Sequence, residues 1–180
     1  RVGKEASRLA SRREGNEGAT GLSSPKRYLW DKDKYEQGWR FNSHYVKSDH
    51  EPFATAEPFS SLINEYGEAL HILSNDIEEE YDRKMPVFHP KYSRSSLMTF
   101  MLCEVLMHAL MQINSVAQRN KLEHAKTPRN LRSIILTIPP AMPKPEQAIF
   151  KSCVYQAIGL VWKSLGWDNS DSNIDFSNRD

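Results

Sequence analysis

The sequence predicts an α/β protein that is rich in helix and contains a short sheet, and three observations predict it. A run of mostly β-branched and aliphatic residues covers Ser133–Ile138 and stops at two prolines. An amphipathic pattern that begins near Pro145 follows this run, and an apolar stretch with helical spacing, residues 93–119, precedes it. A helix, a strand, a proline-rich turn and a second helix in this order make one α/β unit.

The run Ser133–Ile138 is expected to be a strand covered on both faces, because it has almost no polar alternation after its first residue. Four prolines within seven residues then fix φ and stiffen the turn: Pro139, Pro140, Pro143 and Pro145. Pro145 is expected to open the last helix, with Glu146 near its positive end. Gly166 is the natural C-cap of that helix.

The stretch of residues 93–119 carries the strongest helical pattern and should be buried by several neighbours. Its polar exceptions Glu104, His108 and Gln112 are spaced by four and form one thin stripe. A metal-dependent hydrolase could use Glu104 and His108, but no third ligand is evident. We therefore favour the other interpretation, in which the stripe is the solvent line of the helix or is hydrogen-bonded internally.

The chain divides into three regions by pattern. Residues 1–90 are expected to form a small accessory region with loops, including an amphipathic helix over residues 59–82 that is acidic at its end. Residues 91–168 hold the long helix and the strand–turn–helix unit. Residues 169–180 form a polar tail.

Composition narrows the partners and the compartment. The net charge of +1 gives no electrostatic reason to expect binding to nucleic acid or to a membrane surface. The longest stretch without formal charge, residues 105–118, is too short and too polar to span a bilayer. Cys103 and Cys153 lie inside apolar helical patterns, which indicates buried thiols in a reducing compartment, although the sequence leaves a disulfide open.

Several motifs resemble those of actin-like ATPases, and of DnaK-type chaperones in particular. Thr137-Ile138-Pro139 resembles the T-V-P of their strand end, and Gly159-Leu160 resembles the G-L in the next helix. Residues 2–6 resemble a segment of the chaperones' small subdomain. Residues 24–29, SPKRYL, resemble the element whose lysine contacts the ATP phosphates. The chaperones' arginine after the turn has no match, since Gln147 or Ala148 occupies its place.

A closer resemblance covers more of the chain. The segments VGKEASRLA, GLSSPKRYLWD, YSRSSLMTFMLCEVLMHALMQINSVAQR and LRSIILTIPPAMPKPEQAIF are together similar to the SrfB family of bacterial virulence factors. This resemblance implies part of an actin-like (ribonuclease-H-like) ATPase domain in a bacterial cytoplasmic protein, with secretion left open. Because SrfB proteins are large and this chain starts at Arg1, we expect it to be an internal piece of a longer protein.

The resemblance also implies a site. Lys26 would be the catalytic and cofactor-binding residue, as a point charge near the β- and γ-phosphates, and the alternative is a surface lysine at a helix start. Pro139 would be the hinge that relays nucleotide state, or would simply end the strand. The cofactors would be ATP and Mg²⁺. No Asp-x-Gly motif occurs in the 180 residues, so this chain alone is expected to bind ATP weakly or not at all.

The alternative function is a non-enzymatic protein–protein interaction scaffold. In that hypothesis the methionine-rich helix of residues 93–119 and the acidic residues 76–82 bind a partner protein. The expected partners are other parts of the parent protein and separate proteins, without nucleic acid and without a membrane span.

Overall fold

A computed structural model describes residues 3–4, 25–34, 59, 61–73, 85–86, 91–121 and 125–167. Its α-helices are α1 (Arg94–Ile113), α2 (Val116–Arg119) and α3 (Lys144–Ser164), and two short 3-10 helices cover Pro25–Tyr28 and Leu70–Ile72. The helices α1 and α3 pack against each other and form the centre of the described structure. The acidic residues 76–82 and the tail of residues 169–180 lie outside the described residues.

The long helix predicted over residues 93–119 is confirmed, with one break. Ser93 is the N-cap of α1, and its Oγ accepts a hydrogen bond from the Ser96 N–H at 3.1 Å. Asn114 ends the helix because its side-chain amide donates to the carbonyls of Leu110 and Arg129, both at 2.9 Å. Its Oδ1 also accepts from the Arg129 N–H at 2.8 Å. The chain turns at residues 114–115 before α2 begins.

The last helix also follows its prediction. Pro145 lies in the first turn of α3, where the missing N–H costs nothing. Gly166 follows the helix with a φ of 68°, and the Trp167 N–H donates to the Trp162 carbonyl at 2.9 Å. This is the long hydrogen bond of a Schellman motif. The two indole rings pack edge to face at 5.4 Å and close the helix end.

The core lies mainly between α1 and α3. The larger cluster holds buried apolar residues from both helices and from the loop before α1: Phe59, Ile63, Ala69, Tyr92, Cys103, Leu106, Leu110, Val154, Ala157, Ile158, Leu160 and Val161. A smaller cluster holds Leu29, Met98, Met142 and Cys153. Leu29 therefore joins the first described loop to the side of α1, and Met142 joins the proline-rich turn to the same place.

The helix predicted over residues 59–82 is wrong in its described part. Asn64 is fully buried, and its Oδ1 accepts hydrogen bonds from the N–H groups of Tyr66 and Glu68 at 3.0 and 2.9 Å. Gly67 has a φ of 79°, which no α-helix contains. The asparagine side chain thus competes with helical hydrogen bonds and forms a tight turn, which ends in an isolated bridge between Ile63 and Ala69.

The predicted α/β class, as part of an actin-like (ribonuclease-H-like) domain with a short sheet, is wrong for the described residues. They are rich in helix, as expected, but form no sheet. Their β-pairing consists of two isolated bridges, Lys34 with Ser93 and Ile63 with Ala69. The run Ser133–Ile138 is extended but pairs with no strand among the described residues. A β-branched run becomes part of a sheet only where a partner strand is present, and none of the described residues supplies one.

The prediction that this run is covered on both faces is also wrong. We call Asn130–Ile138 the extended segment. Its inward side chains Leu131, Ile134 and Leu136 pack on the larger core cluster, and Ile138 packs on the smaller one. The outward side chain of Ile135 is 85% exposed. One face therefore packs on the core clusters, and Ser133, Ile135 and Thr137 on the opposite face are exposed.

Among the described helices, α1 is long and apolar enough to cross a membrane, judged by length and composition alone. A packed core helix passes the same test. Here Cys103, Leu106 and Leu110 of α1 are buried in the larger cluster. The expected absence of a membrane span therefore stays a prediction.

Replacing Gly67 with alanine should destabilise the fold by about 2 to 4 kcal/mol. The new Cβ would lie 2.7 Å from Tyr92 Cδ1 and 2.8 Å from Ser96 Oγ, and φ is positive as well. Gly166→Ala is the matched control, because its φ is also positive but nothing lies within 4 Å of its Cβ. The free energy of unfolding of Gly166→Ala should be lower than that of the wild type by only about 1 to 2 kcal/mol. Urea denaturation of both variants measures the difference, and equal losses would contradict the packing around Gly67.

Candidate functional site

The loop that carries Lys26 is fixed to the start of α1. The Ser95 N–H donates to the Asp31 carbonyl at 2.8 Å, and the Ser95 hydroxyl donates to the Leu29 carbonyl at 2.9 Å. Arg94 pairs with the Asp31 carboxylate at 3.2 Å. Its guanidinium also lies 5.1 Å from the ring centre of Tyr28. A buried hydroxyl and a half-exposed ion pair therefore set the position of the loop.

Lys26 lies in the first 3-10 helix and is exposed. Pro139 is exposed as well, and its carbonyl accepts a hydrogen bond from the Met142 N–H at 2.9 Å in the proline-rich turn. The two loops reach the same smaller core cluster through Leu29 and Met142. The phosphate contact of Lys26 and the hinge role of Pro139 stay predictions.

A cavity of about 270 Å³ with a mixed polar and apolar lining opens between the start of α1, the middle of α3 and the turn before the second 3-10 helix. Neither Lys26 nor Pro139 lines it. Two of its serine hydroxyls are engaged with α1 itself, because Ser93 caps the helix and Ser96 donates to the Ser93 carbonyl at 2.8 Å. The cavity is large enough for water or a small molecule. Its polar lining residues are Lys32, Glu68, Ser93, Ser95, Ser96, Thr99, Ser152 and Gln156.

Cys153 also lines the cavity, but its chemistry is that of a buried thiol. Burial raises the pKa of Cys153, while a hydrogen bond with Thr99 and the charge of Lys32 offset part of this rise. A raised pKa keeps the Cys153 thiol protonated at neutral pH, and a protonated thiol is a poor nucleophile. Cys103 lies on α1 and donates to the Ala157 carbonyl at 3.8 Å. Both cysteines are free and buried, which confirms that part of the sequence prediction.

The stripe of Glu104 and His108 does not form a metal site in the described structure. The His108 Nε2 lies 3.9 Å from the Glu104 Oε1, and His108 and Gln112 are exposed. Among the described residues, no group of three histidine, cysteine or acidic side chains could hold a metal ion. The stripe is therefore only partly a solvent line, because Glu104 is partly buried and its Oε1 is enclosed.

The helices α1 and α2 also carry exposed apolar side chains, which the sequence analysis expected to be buried. Val105, Met111 and Val116 are all at least half exposed. The extended segment begins next to the end of α1, where Asn114 binds both backbone groups of Arg129. Helical periodicity alone could not separate an apolar residue that faces α3 from one that faces outward.

The backbone of the extended segment makes no hydrogen bond with the rest of the described chain: none involves the N–H or C=O groups of residues 131–138. The sequence analysis missed this feature because it expected a sheet covered on both faces, and the described residues form no sheet. One signal was present: Ser133 and Thr137 alternate with Ile134 and Leu136, so Ile135 is the one apolar residue on the polar side.

The described residues thus define a helical fold that carries an exposed extended segment and a small cavity. The chain matches the family described as virulence factor SrfB over residues 1–180, and it therefore belongs to the SrfB family. The resemblance of its four separated segments to SrfB is confirmed. No curated protein matches the chain, and no solved structure does. The actin-like fold that the resemblance implied is not detected.

The free energy of unfolding should fall as the pH rises above 9. Burial raises the pKa of Cys103 to about 12 from its ordinary value of 9.0. Between these values the unfolded chain loses the Cys103 proton and the folded chain keeps it. Stability is therefore independent of this group below pH 9, and above it falls by up to about 1.4 kcal/mol per pH unit.

Urea denaturation at pH 8 and pH 10 measures this dependence. Burial raises the pKa of Cys153 in the same direction, so the comparison is made between the wild type and Cys103→Ala. Cys103→Ala should be less stable than the wild type at both pH values. Its free energy of unfolding should fall less between pH 8 and pH 10 than that of the wild type. An identical pH dependence in both proteins would contradict the buried, protonated Cys103.

Proposed function

We propose that this SrfB-family chain acts as a non-enzymatic scaffold that binds protein through the extended segment. One observation supports the proposal: the segment lies extended on the helices, with Ile134 and Leu136 packed inward, and its backbone pairs with no strand among the described residues. Backbone N–H and C=O groups are obligatory hydrogen-bonding groups, and an incoming β-strand satisfies them along its whole length.

The inward side chains prepare the segment for such pairing. Ile134, Leu136 and Ile138 pack on the core clusters and hold the chain extended. Pro139 ends the segment, and proline lacks the N–H that would continue a ladder. Because the conformation is fixed before a partner arrives, binding need not order a flexible chain, and this lowers its entropic cost.

Exposed apolar side chains near the segment extend the proposed surface. Met111 and Val116 lie on either side of Asn114, which binds the residue that precedes the segment. Met111 is 62% exposed. Methionine adapts to partners of varied shape, and exposed apolar residues near an open strand favour a protein partner over a small molecule.

Replacing Ile135 with the photo-crosslinking residue benzoylphenylalanine should yield covalent adducts with a protein partner in cells that express this chain. The same residue at Tyr155, which is aromatic and exposed on α3, is the matched control and should yield no such adduct. Because Ile135 contributes little to the core, the crosslinking variant should keep the wild-type melting temperature. Mass spectrometry identifies the adduct, and failure to obtain any adduct specific to position 135 would overturn the scaffold proposal.

The scaffold proposal also predicts that this chain alone does not bind Mg-ATP with micromolar affinity. Isothermal titration calorimetry with Mg-ATP should give no saturable heat. If saturable micromolar binding appears, the non-enzymatic proposal is wrong. A loss of that heat in Lys26→Ala, with Lys144→Ala as a matched exposed-lysine control, would then support a nucleotide contact at Lys26.

A further inference from the structure

We infer that the partner of the extended segment is an acidic segment of another protein, which binds a group of cations next to the extended segment as well as its backbone. This inference rests on the scaffold proposal and names the chemistry of the partner. The cations lie on the chain between the end of α2 and the start of residues 133–138. We call them the basic group: Arg119, Lys121, Lys126, Arg129 and Arg132.

The first argument is the local charge. Between Glu104 and Glu146 the sequence holds six lysines and arginines but one acidic residue, Glu123. No ion pair among the described residues includes a member of the basic group. Its two lysines and Arg132 are exposed. The described chain therefore leaves this positive charge without a carboxylate, although the net charge of the whole chain is only +1, and the surface attracts an acidic partner.

The second argument is the position of the two partly buried arginines. The Arg119 Nε donates to the Ala125 carbonyl at 2.6 Å, and the Arg129 Nη2 donates to the Gln118 carbonyl at 3.2 Å. Asn114 binds both backbone groups of Arg129, directly before the extended segment begins. Each of these side-chain contacts uses one of the five N–H donors of a guanidinium. Both arginines are therefore fixed beside the segment and keep donors for carboxylate oxygens.

The third argument favours a protein over a nucleic acid. No phenylalanine, tyrosine or tryptophan lies between Phe100 and Phe150 in the sequence, so the basic group has no aromatic side chain of its own region on which a base could stack. The exposed side chains near it are aliphatic instead: Met111, Val116 and Ile135. Cations beside exposed aliphatic side chains and an unpaired extended backbone match a protein strand that carries carboxylates.

Fluorescence anisotropy of the whole 180-residue chain with labelled peptides tests the inference. The acidic peptide EEEVTVTVTEEE has a strand-forming centre and carboxylates at both ends, so it can pair in either direction. It should bind with a Kd of about 100 µM or tighter, and at least about tenfold more tightly than the charge-reversed peptide KKKVTVTVTKKK. Its affinity should fall as NaCl is added, because salt screens exposed charges. The peptide EEEVPVPVPEEE lacks N–H groups at its prolines and should bind at least about fivefold more weakly.

Charge reversal within the basic group is the matching change in the protein. Lys121→Glu together with Lys126→Glu should weaken binding of the acidic peptide by at least about tenfold, because two attractive charges become repulsive. Both side chains are exposed, and neither makes a hydrogen bond with another described residue. Arg27→Glu together with Lys32→Glu is the control, since it changes the net charge equally on exposed side chains before α1. The control should bind the peptide as the wild type does, and circular dichroism melting should show both variants folded.

Other occupants give distinct results that overturn the inference. A DNA duplex of about 20 base pairs that binds more tightly than the acidic peptide at physiological salt makes nucleic acid the partner. Glu78→Gln together with Glu79→Gln and Glu80→Gln should leave the peptide affinity unchanged. A rise of about tenfold or more in that variant makes the acidic residues of this chain itself the occupant. A dimer in sedimentation equilibrium that dissociates when the peptide is added makes the occupant a second copy.

The peptides also separate the inference from the scaffold proposal. If the neutral peptide SSSVTVTVTSSS binds as tightly as the acidic one, or if the proline peptide does, the acidic strand is the wrong partner. If no peptide binds up to about 500 µM while position 135 still crosslinks to a protein, the scaffold proposal stands and the acidic partner is wrong. If there is neither peptide binding nor an adduct, both are wrong.

Discussion

The described structure depends on the contact between α1 and α3. Ala157 is fully buried, and its small side chain lets the Cys103 thiol of α1 reach the backbone of α3. Leu160 and Val161 are fully buried beside it. Every other described element rests on this pair of helices, because none is long enough to bury an apolar face of its own. The apolar packing of α1 against α3 therefore supports the loops before α1 and the extended segment.

Two asparagine side chains then hold the loops to this pair. Asn64 is buried and organises the turn that ends in the Ile63–Ala69 bridge, while Asn114 stops α1 and binds both backbone groups of Arg129. An amide side chain can replace a missing backbone partner because it carries both donors and acceptors. Each asparagine therefore satisfies backbone groups that its loop would otherwise leave unpaired, and each decides where the next segment begins.

The sequence predicted the helices better than their surroundings. The spacing of apolar residues located both long helices, and Gly166 located the end of the second one. Local propensity and capping decide where a helix lies and where it ends. The turn around Asn64 was missed because its apolar residues happen to follow a helical period, while one buried side chain overrides that period. The extended segment was predicted as a strand from its β-branched residues, but a strand also requires a neighbour, and the sequence of the segment itself does not contain one.

The candidate site was less accessible to sequence reasoning. The serines at the start of α1 were visible as a helix start, yet their place in a cavity depends on Lys32 and Gln156, which are distant in sequence. The exposure of Ile135 could not be separated from the burial of Ile134, because both are isoleucines and only the packing of α1 and α3 decides which one faces inward.

The side chains of the extended segment alternate between inward and outward positions, and the two sets are under different constraints. Ile134, Leu136 and Ile138 are constrained by the core of their own chain, whereas Ser133, Ile135 and Thr137 point away from it. Substitutions at the outward positions would therefore alter the proposed binding surface while the inward side chains keep the fold intact. Under the proposal, such a surface could diverge at every second residue without a matching change in stability.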